Sequence, residues 1–358
     1  MNQDIELILA KQDADIIPDE LTLLMSYFKD HHDDVQAQEW TKGILRTAQL
    51  IEAHNGGRDA ISFRKESYKE FDHHYKTNYG LKADIIRQAL MQYIHQDEIT
   101  NAHKMMDEYL YNKLAQIQFM SSNHKMRYYS FRSFSPYSLD DIREETISLA
   151  HPREFNDPLD TLMVRWLDSS IGKDISKERL TYLTLMKKVS EHIKLRCLIG
   201  KIYKDKEGHD KTQEIEDLNV LMWSHYADSH KGFCVEYEFK RELFDPQPGK
   251  LLLIEKMDYK NSIELNDEPS MHTALFEKSD FWDYEHEMRM CIFNTTDTDK
   301  DYPIIECKNA VKAIYLGVKC SDKDRRDMEK AIGNKDIPLY QMSIDEEKLT
   351  RLKKTQIA

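Results

Sequence analysis

The chain has 358 residues, a length that suggests about two domains with room for a proper core in each. Hydrophobic residues make up 40% of the sequence, which excludes disorder along the whole chain. The 51 Lys and Arg residues are outnumbered by 64 Asp and Glu residues, giving a formal net charge of −13. This balance disfavours a general electrostatic grip on nucleic acid and leaves only a local basic patch open.

Residues 1–124 are poor in Gly and Pro and carry helical periodicity. Apolar residues recur at three- and four-residue spacing from Leu81 to Ile94, and again from Ile99 to Ile117. Turn-forming residues at 55–57 and 78–80 separate these stripes from earlier helical candidates. We predict a bundle of five or six helices, or a short helical solenoid, that regulates the protein, binds a partner or forms a homo-oligomer.

Residues 125–358 have a different texture, with short runs of Tyr, Phe, Val and Ile between turn residues and a few helices. This pattern predicts an α+β domain. The predicted strands are 127–133, 146–150, 195–203, 233–239, 251–259, 287–293, 302–306 and 313–318.

The five cysteines stand singly, so their spacing suggests neither a disulfide framework nor a structural zinc site. The paired histidines at 31–32 and 73–74 point in different directions on a helix, and we expect no metal there. The first residues are acidic where a signal peptide is basic, and no uncharged stretch reaches the ~18 residues of a membrane span. We expect a cytoplasmic protein with no membrane association.

Motifs of several enzyme classes are missing from the sequence. It has no phosphate-binding P-loop, no G-x-G-x-x-G dinucleotide fingerprint, no H-E-x-x-H zinc motif and no G-x-S-x-G nucleophile elbow. The P-loop NTPase, Rossmann dehydrogenase, zincin and serine hydrolase classes are therefore disfavoured.

The most informative stretch is 281–293. On a strand, Glu285, Glu287 and Arg289 would share one face. Two carboxylates beside a guanidinium are common where acid–base chemistry or stabilisation of a cation takes place. The alternative is a surface ladder of Glu and Arg beside a buried Trp282 and Tyr284.

Three further clusters have both a functional and a structural interpretation. Arg132 lies among aromatic residues, where it could clamp a phosphate or make a cation–π contact. Asn156 and Asp157 lie in a turn-forming stretch, 155–160, that could equally be a plain turn. His225 and Tyr226 could donate hydrogen bonds in a cleft or be satisfied polar groups of the core.

These clusters, in this order, resemble a large bacterial family known only as a domain of unknown function and often met near phage-defence genes. The resembling motifs are Y-x-F-R-S-F at 129–134, F-N-D-P-L-D at 155–160, M-W-S-H-Y-A at 222–227 and W-D-Y-E-H-E-M-R at 282–289. They cover about 125–344, and their order is similar to that of the ADP-ribosyltransferase superfamily.

This resemblance implies a mixed, mainly antiparallel sheet with flanking helices. It implies that Arg132 contacts NAD, that Glu287 stabilises the oxocarbenium-like cation formed when the nicotinamide bond breaks, and that Glu285 completes a Glu-x-Glu pair. One departure is that Cys197-Leu198 is followed by Ile199 where related chains often have Ser.

We therefore expect an NAD-dependent ADP-ribosyltransferase or NAD glycohydrolase that acts as a bacterial anti-phage effector or toxin, with NAD as its substrate. The alternative is a non-enzymatic module that senses a nucleotide or phage component. The partner would be a protein target or a phage component; nucleic acid is disfavoured by charge but left open. The expected site residues are Glu287, Glu285 and Arg132 for catalysis, and Arg132, His225, Tyr226, Asn156 and Asp157 for binding.

Overall fold

The structure is a computed structural model that describes residues 1, 3–30, 36–74, 78–120, 127–155, 157, 160, 162–171, 175–200, 202–204, 210–262, 269–295, 304–348 and 351–357. The chain forms two compact units. The first comprises Met1–Met120 and Leu167–Glu191, and the second comprises Ser121–Trp166 and His192–Ala358. The sequence-based division at 124/125 places the segment 167–191 in the second domain, whereas its contacts group it with the first unit.

The first unit is helical, as the periodicity predicts. Its helices are α1 (Gln3–Leu9), α2 (Pro18–Asp30), α3 (Ala37–Asn55), α4 (Gly57–His74), α5 (Tyr79–His95), α6 (Ile99–Met120) and α9 (Lys177–Ser190). The division between the two units falls within α8 (Leu162–Ile171). Most of the predicted stripe residues of α5 and α6 are buried, although Ile99 at the start of α6 is exposed, and these two helices pack along each other. Gly56 follows α3 with φ 93°, a backbone conformation that glycine adopts without strain. Among the residues that the structure describes, no helix is both long and apolar enough to cross a membrane.

The second unit is α+β. Its strands are β1 (Arg127–Arg132), β2 (Thr146–Ser148), β3 (Ile193–Ile199), β4 (Ile202–Lys204), β5 (Asp210–Thr212), β6 (Phe233–Glu238), β7 (Lys250–Lys256), β8 (Asp258–Lys260), β9 (Glu277–Ser279), β10 (Glu287–Asn294), β11 (Ile304–Glu306), β12 (Val311–Leu316), β13 (Leu339–Ile344) and β14 (Leu352–Gln356). Its other helices are α7 (Pro136–Glu144), α10 (Leu221–Tyr226), α11 (Met271–Phe276) and α12 (Asp322–Ile332).

Eight of these strands form one sheet, in the order β14-β13-β12-β6-β1-β3-β10-β7. All neighbouring pairs in it are antiparallel except β12 and β13, which are parallel, so the sheet is mixed and mainly antiparallel. Alternate residues of each strand point to opposite faces, and each face carries its own core. One core contains Tyr128, Leu198 and Met288, and the other contains Tyr129, Ile199 and Trp223.

Candidate functional site

The strand register fixes which face of the sheet carries each candidate residue. Tyr129 of β1 lies opposite Ile199 of β3, and Ile199 lies opposite Glu287 of β10. Directly paired residues share a face, so Tyr129 and Glu287 point to the same side. Arg132 is three residues beyond Tyr129 and therefore points to the other side. Arg132 and Glu287, which the motif resemblance places together in one catalytic site on NAD, therefore lie on opposite faces of the sheet.

Arg132 has a structural partner on its own face. Its Nη1 lies 2.6 Å from Oδ2 of Asp141, and both side chains are buried. Asp141 also accepts hydrogen bonds from the hydroxyls of Thr146, at 3.0 Å, and Ser148, at 2.9 Å. These contacts tie β1 to α7 and β2, and they commit the guanidinium to that network.

The opposite face carries a cavity of about 220 Å³, the sheet cavity. Aromatic side chains form part of its wall: Tyr129, Phe131, Phe155 and Tyr226. Besides the tyrosines, the ionisable side chains that line it are Asp157, Asp160, Cys197, Lys278, Glu285 and Glu287. Arg196 also borders the cavity, but its side chain points to the other face, where it donates to the hydroxyl of Ser130. The cavity therefore brings together Glu285, Glu287, Tyr226 and Asp157 from the predicted set.

Five charged residues at this cavity form the ion cluster: Asp160, Lys278, Glu285, Glu287 and Arg289. Lys278 lies at its centre, with Nζ 2.8 Å from Glu285 Oε2, 3.3 Å from Glu287 Oε2 and 3.6 Å from Asp160 Oδ2. Three carboxylates and two cations give the cluster a net charge of −1.

Arg289 bridges two carboxylates of the cluster, those of Glu287 and Asp160. Its Nε donates to Glu287 Oε1 at 2.7 Å, its Nη2 donates to Asp160 Oδ2 at 2.9 Å, and its Nη1 donates to the carbonyl of Leu275. The guanidinium also lies 5.5 Å from the ring centroid of Phe155. Because Arg289 is 0% exposed and Glu287 is 2% exposed, the interpretation of this stretch as a surface ladder is wrong.

Glu285 reaches the cavity from a different element than expected. It ends the 3₁₀ helix Asp280–Glu285, and His286, with φ 48°, turns the chain into β10. Its Oε1 accepts a hydrogen bond of 2.6 Å from the hydroxyl of Tyr226, while its Oε2 faces Lys278. The backbone amide of Glu287 donates to the hydroxyl of Tyr259 at 2.8 Å, which holds the start of β10 in place.

The electrostatics keep Glu287 ionised. Burial by itself raises the pKa of Glu287, but the charges of Arg289 and Lys278 and the hydrogen bonds to the carboxylate outweigh it and lower the pKa to about 2. Burial likewise opposes the charge of Lys278, yet Glu287, Asp160 and Glu285 together raise the pKa of its ammonium. Both residues are therefore charged at neutral pH.

Cys197 lies on β3 in the wall of the cavity, opposite Arg289 of β10 and on the same face of the sheet as Glu287. Its side chain has exposed surface, although the packed protein around it and the negative charge of Glu287 raise the pKa of the thiol well above its usual value. The thiol therefore stays protonated, which makes it a weak nucleophile.

One other expected binding residue, His225, does not line the described cavity. His225 is exposed on α10, and the structure places its ring 6.2 Å from that of Tyr226. Asn156 lies outside the described residues. The sequence analysis missed Lys278, which lies on the three-residue strand β9 outside the quoted motifs. It also gave no functional role to Asp160, the last residue of the motif at 155–160.

The motif at 222–232 has a structural role that sequence reasoning also missed. Asp228, Ser229 and His230 have φ of 45°, 54° and 71°, so three successive residues adopt the left-handed conformation. A Cβ at Gly232 would lie 2.1 Å from the carbonyl oxygen of Arg132. This close approach requires glycine, and it lets β6 pair with β1 directly after the turn.

Residues 222–290 match a family described as a protein of unknown function (DUF2971). The matched stretch contains Tyr226, Lys278, Glu285, Glu287 and Arg289, so it supplies most of the ion cluster. No curated protein and no solved structure matches the chain. The match supports a domain-of-unknown-function family for this part of the protein.

Proposed function

We propose that the sheet cavity binds the nicotinamide riboside end of NAD and that the second unit cleaves the bond between nicotinamide and ribose. The protein would then be an ADP-ribosyltransferase or an NAD glycohydrolase, as the motif order suggests. The observation that carries this proposal is that Glu285 and Glu287 line one aromatic-walled cavity, with Glu287 held as an anion.

The charge of the cavity suits this chemistry. The nicotinamide ring of NAD is positively charged, and the ribose becomes an oxocarbenium-like cation as the bond breaks. An ion cluster of net charge −1 stabilises both cations, and the walls of Tyr129, Phe131 and Tyr226 offer surfaces for a flat ring.

In the proposed reaction, the bond between ribose C1′ and the nicotinamide nitrogen breaks, and the electron pair leaves with nicotinamide. Water, or a nucleophile of a target, forms the new bond to C1′ and gives up a proton. Glu285, which lies beside the cavity and contacts the hydroxyl of Tyr226, is placed to accept that proton.

Arg132 is given no role in binding or cleaving NAD, because it pairs with Asp141 on the other face of the sheet. A cavity of about 220 Å³ is also smaller than the ~300–1,000 Å³ of sites that enclose a drug-sized ligand. We infer that the adenosine and the two phosphates lie outside it.

We further propose that the activity serves a bacterial anti-phage effector or toxin, with a protein target or phage component as partner. This step rests on the resemblance of the motifs alone.

A second candidate is a non-enzymatic module that senses a nucleotide or a phage component. It is favoured by one observation: both carboxylate oxygens of Glu287 are already paired, one with Arg289 and one with Lys278, as in a structural ion cluster.

Release of nicotinamide separates these candidates. Purified protein is incubated with NAD, and nicotinamide is quantified by chromatography for the parent, Glu287→Gln and a matched control, Glu238→Gln, whose side chain is exposed on β6. The proposed enzyme releases nicotinamide, the control matches it, and Glu287→Gln loses on the order of 100-fold in rate. Binding of NAD without release by the parent would favour the sensor, and no binding of NAD in calorimetry would contradict the proposed enzyme.

A further inference from the structure

A second recess, the helical-unit groove, lies in the first unit among α3, α4 and α5. It has a volume of about 480 Å³. Buried Arg64 and Gln92 line it together with half-buried Leu45 and Met91. It therefore combines a polar, positively charged part with apolar side chains.

Arg64 is a buried cation with incomplete compensation. It is 2% exposed, and its Nη groups donate to the side-chain oxygens of Gln92 and, at 3.2 Å, Gln88. The acid nearest to it, Glu52, is 3.8 Å away and largely exposed. Burial lowers the pKa of Arg64 to about 10, against the smaller opposing effect of Glu52, so the guanidinium stays charged at neutral pH.

Two buried donors in the groove have no acceptor among the described residues: Nε of Arg64 and Nε2 of Gln92. A buried donor without an acceptor costs about 1–3 kcal/mol, and most such groups in proteins have a partner. Both unpaired groups are donors and one belongs to a cation, so an anionic acceptor would satisfy them together.

The remaining charges around the groove are compatible with such a partner. Asp84 lines the groove, but its carboxylate lies 3.6 Å from the ammonium of Lys113. Arg87 and His95 line the same groove. Glu52 is thus the acid that pairs with Arg64 itself, and it sits at the solvent side.

We propose that the helical-unit groove binds a small organic oxyanion, with its carboxylate or phosphate group on Arg64 and Gln92 and its apolar part against Leu45 and Met91. The charged group completes the hydrogen bonds of both donors. This site is independent of the sheet cavity and of the function proposed for it.

The test follows the Arg64 side chain directly. The Nε–Hε resonance of Arg64 is recorded in the full chain while inorganic phosphate or succinate is added at constant pH and ionic strength, with chloride as the reference salt. We expect a saturable shift of this resonance with one of the two probes, and the probe that gives it identifies the anion as phosphate or carboxylate. A linear drift equal to that with chloride, for both probes, would overturn the proposal.

Variants provide the second arm. Arg64→Gln is expected to weaken binding of the effective probe at least about tenfold, whereas Arg58→Gln, which changes an exposed arginine of the same helix, leaves it unchanged. If Arg64→Gln does not fold, Met91→Glu places a negative charge on the groove wall without removing Arg64 and is expected to weaken binding similarly. Unchanged affinity in a folded Arg64→Gln or Met91→Glu protein would contradict the proposal.

Discussion

Arg132 and Glu287 point to opposite faces of the eight-stranded sheet, although both belong to buried ion pairs. Arg132 pairs with Asp141 on the face that packs against α7 and β2, and Glu287 pairs with Arg289 and Lys278 on the face that holds the sheet cavity. The sheet thus carries two separate polar networks. The network around Glu287 borders the sheet cavity.

Arg132→Gln is expected to lower stability without altering the proposed chemistry. Removing one partner of a buried ion pair leaves Asp141 uncompensated and costs about 3 kcal/mol. Urea denaturation measures the loss, and Arg143→Gln, which breaks an exposed pair with Asp140, should change stability by less than about 1 kcal/mol. A raised KM for NAD in a fully stable Arg132→Gln protein would show instead that Arg132 contacts the ligand.

Asp160→Asn is expected to disrupt the ion cluster. Asp160 accepts a hydrogen bond from Arg289 at 2.9 Å and lies 3.6 Å from Lys278, so its charge compensates two buried cations at once. The substitution should cost about 3 kcal/mol of unfolding free energy. Combining it with Lys278→Met in a double-mutant cycle should give a total smaller than the sum of the single effects, because the two residues interact. Strict additivity would contradict the described contact.

The pKa of Glu287 predicts a pH dependence of stability. Its folded-state value, about 2, lies below its ordinary value of 4.5. A depressed carboxyl pKa stabilises the folded protein above pH 4.5, and this contribution is lost as the pH falls from 4.5 towards 2. The difference in unfolding free energy between the parent and Glu287→Gln should therefore be largest above pH 4.5 and narrow below it. A difference that stays constant from pH 7 to 3 would count against an ionised, paired Glu287.

Two glycine substitutions should differ sharply despite similar geometry. An added Cβ would lie 2.1 Å from a neighbouring atom at both Gly232 and Gly57. At Gly232 that atom is the backbone oxygen of Arg132 in β1, whereas at Gly57 it is the side-chain nitrogen of Gln96, which can move aside. Gly232→Ala should cost more than about 2 kcal/mol, and Gly57→Ala should be nearly neutral. Equal thermal midpoints would contradict the tight pairing of β6 on β1.

The sequence predicts the elements well where the periodicity is local. The stripes on α5 and α6 are mostly buried, with Ile99 exposed, and β10 places Glu287 and Arg289 on one face. The relation between Arg132 and Glu287 could not be predicted, because it depends on the register of β1 against β3 and of β3 against β10. A shift of one residue in either register would reverse the result.

The ion cluster shows a second limit. Lys278 carries no local signal, since it lies on a three-residue strand after α11. Its role depends on the turn that brings Glu285 and Glu287 back beside it and on Asp160, which comes from a distant part of the chain. The sequence did not predict the burial of Arg289 either, because an alternating Glu and Arg pattern is typical of a surface strand. In the folded protein this face of β10 is buried, and its charges pair with one another instead of contacting water.

The most direct test of the central claim is a crystal structure of the protein with a non-hydrolysable carbocyclic analogue of NAD. We expect the nicotinamide ring to occupy the sheet cavity against Tyr129 and Tyr226. The ribose C1′ position should lie within about 4 Å of a carboxylate oxygen of Glu287 or Glu285. The phosphates should lie outside the cavity and away from Arg132. An analogue bound elsewhere, or a cavity that stays closed to it at saturating concentration, would contradict the account.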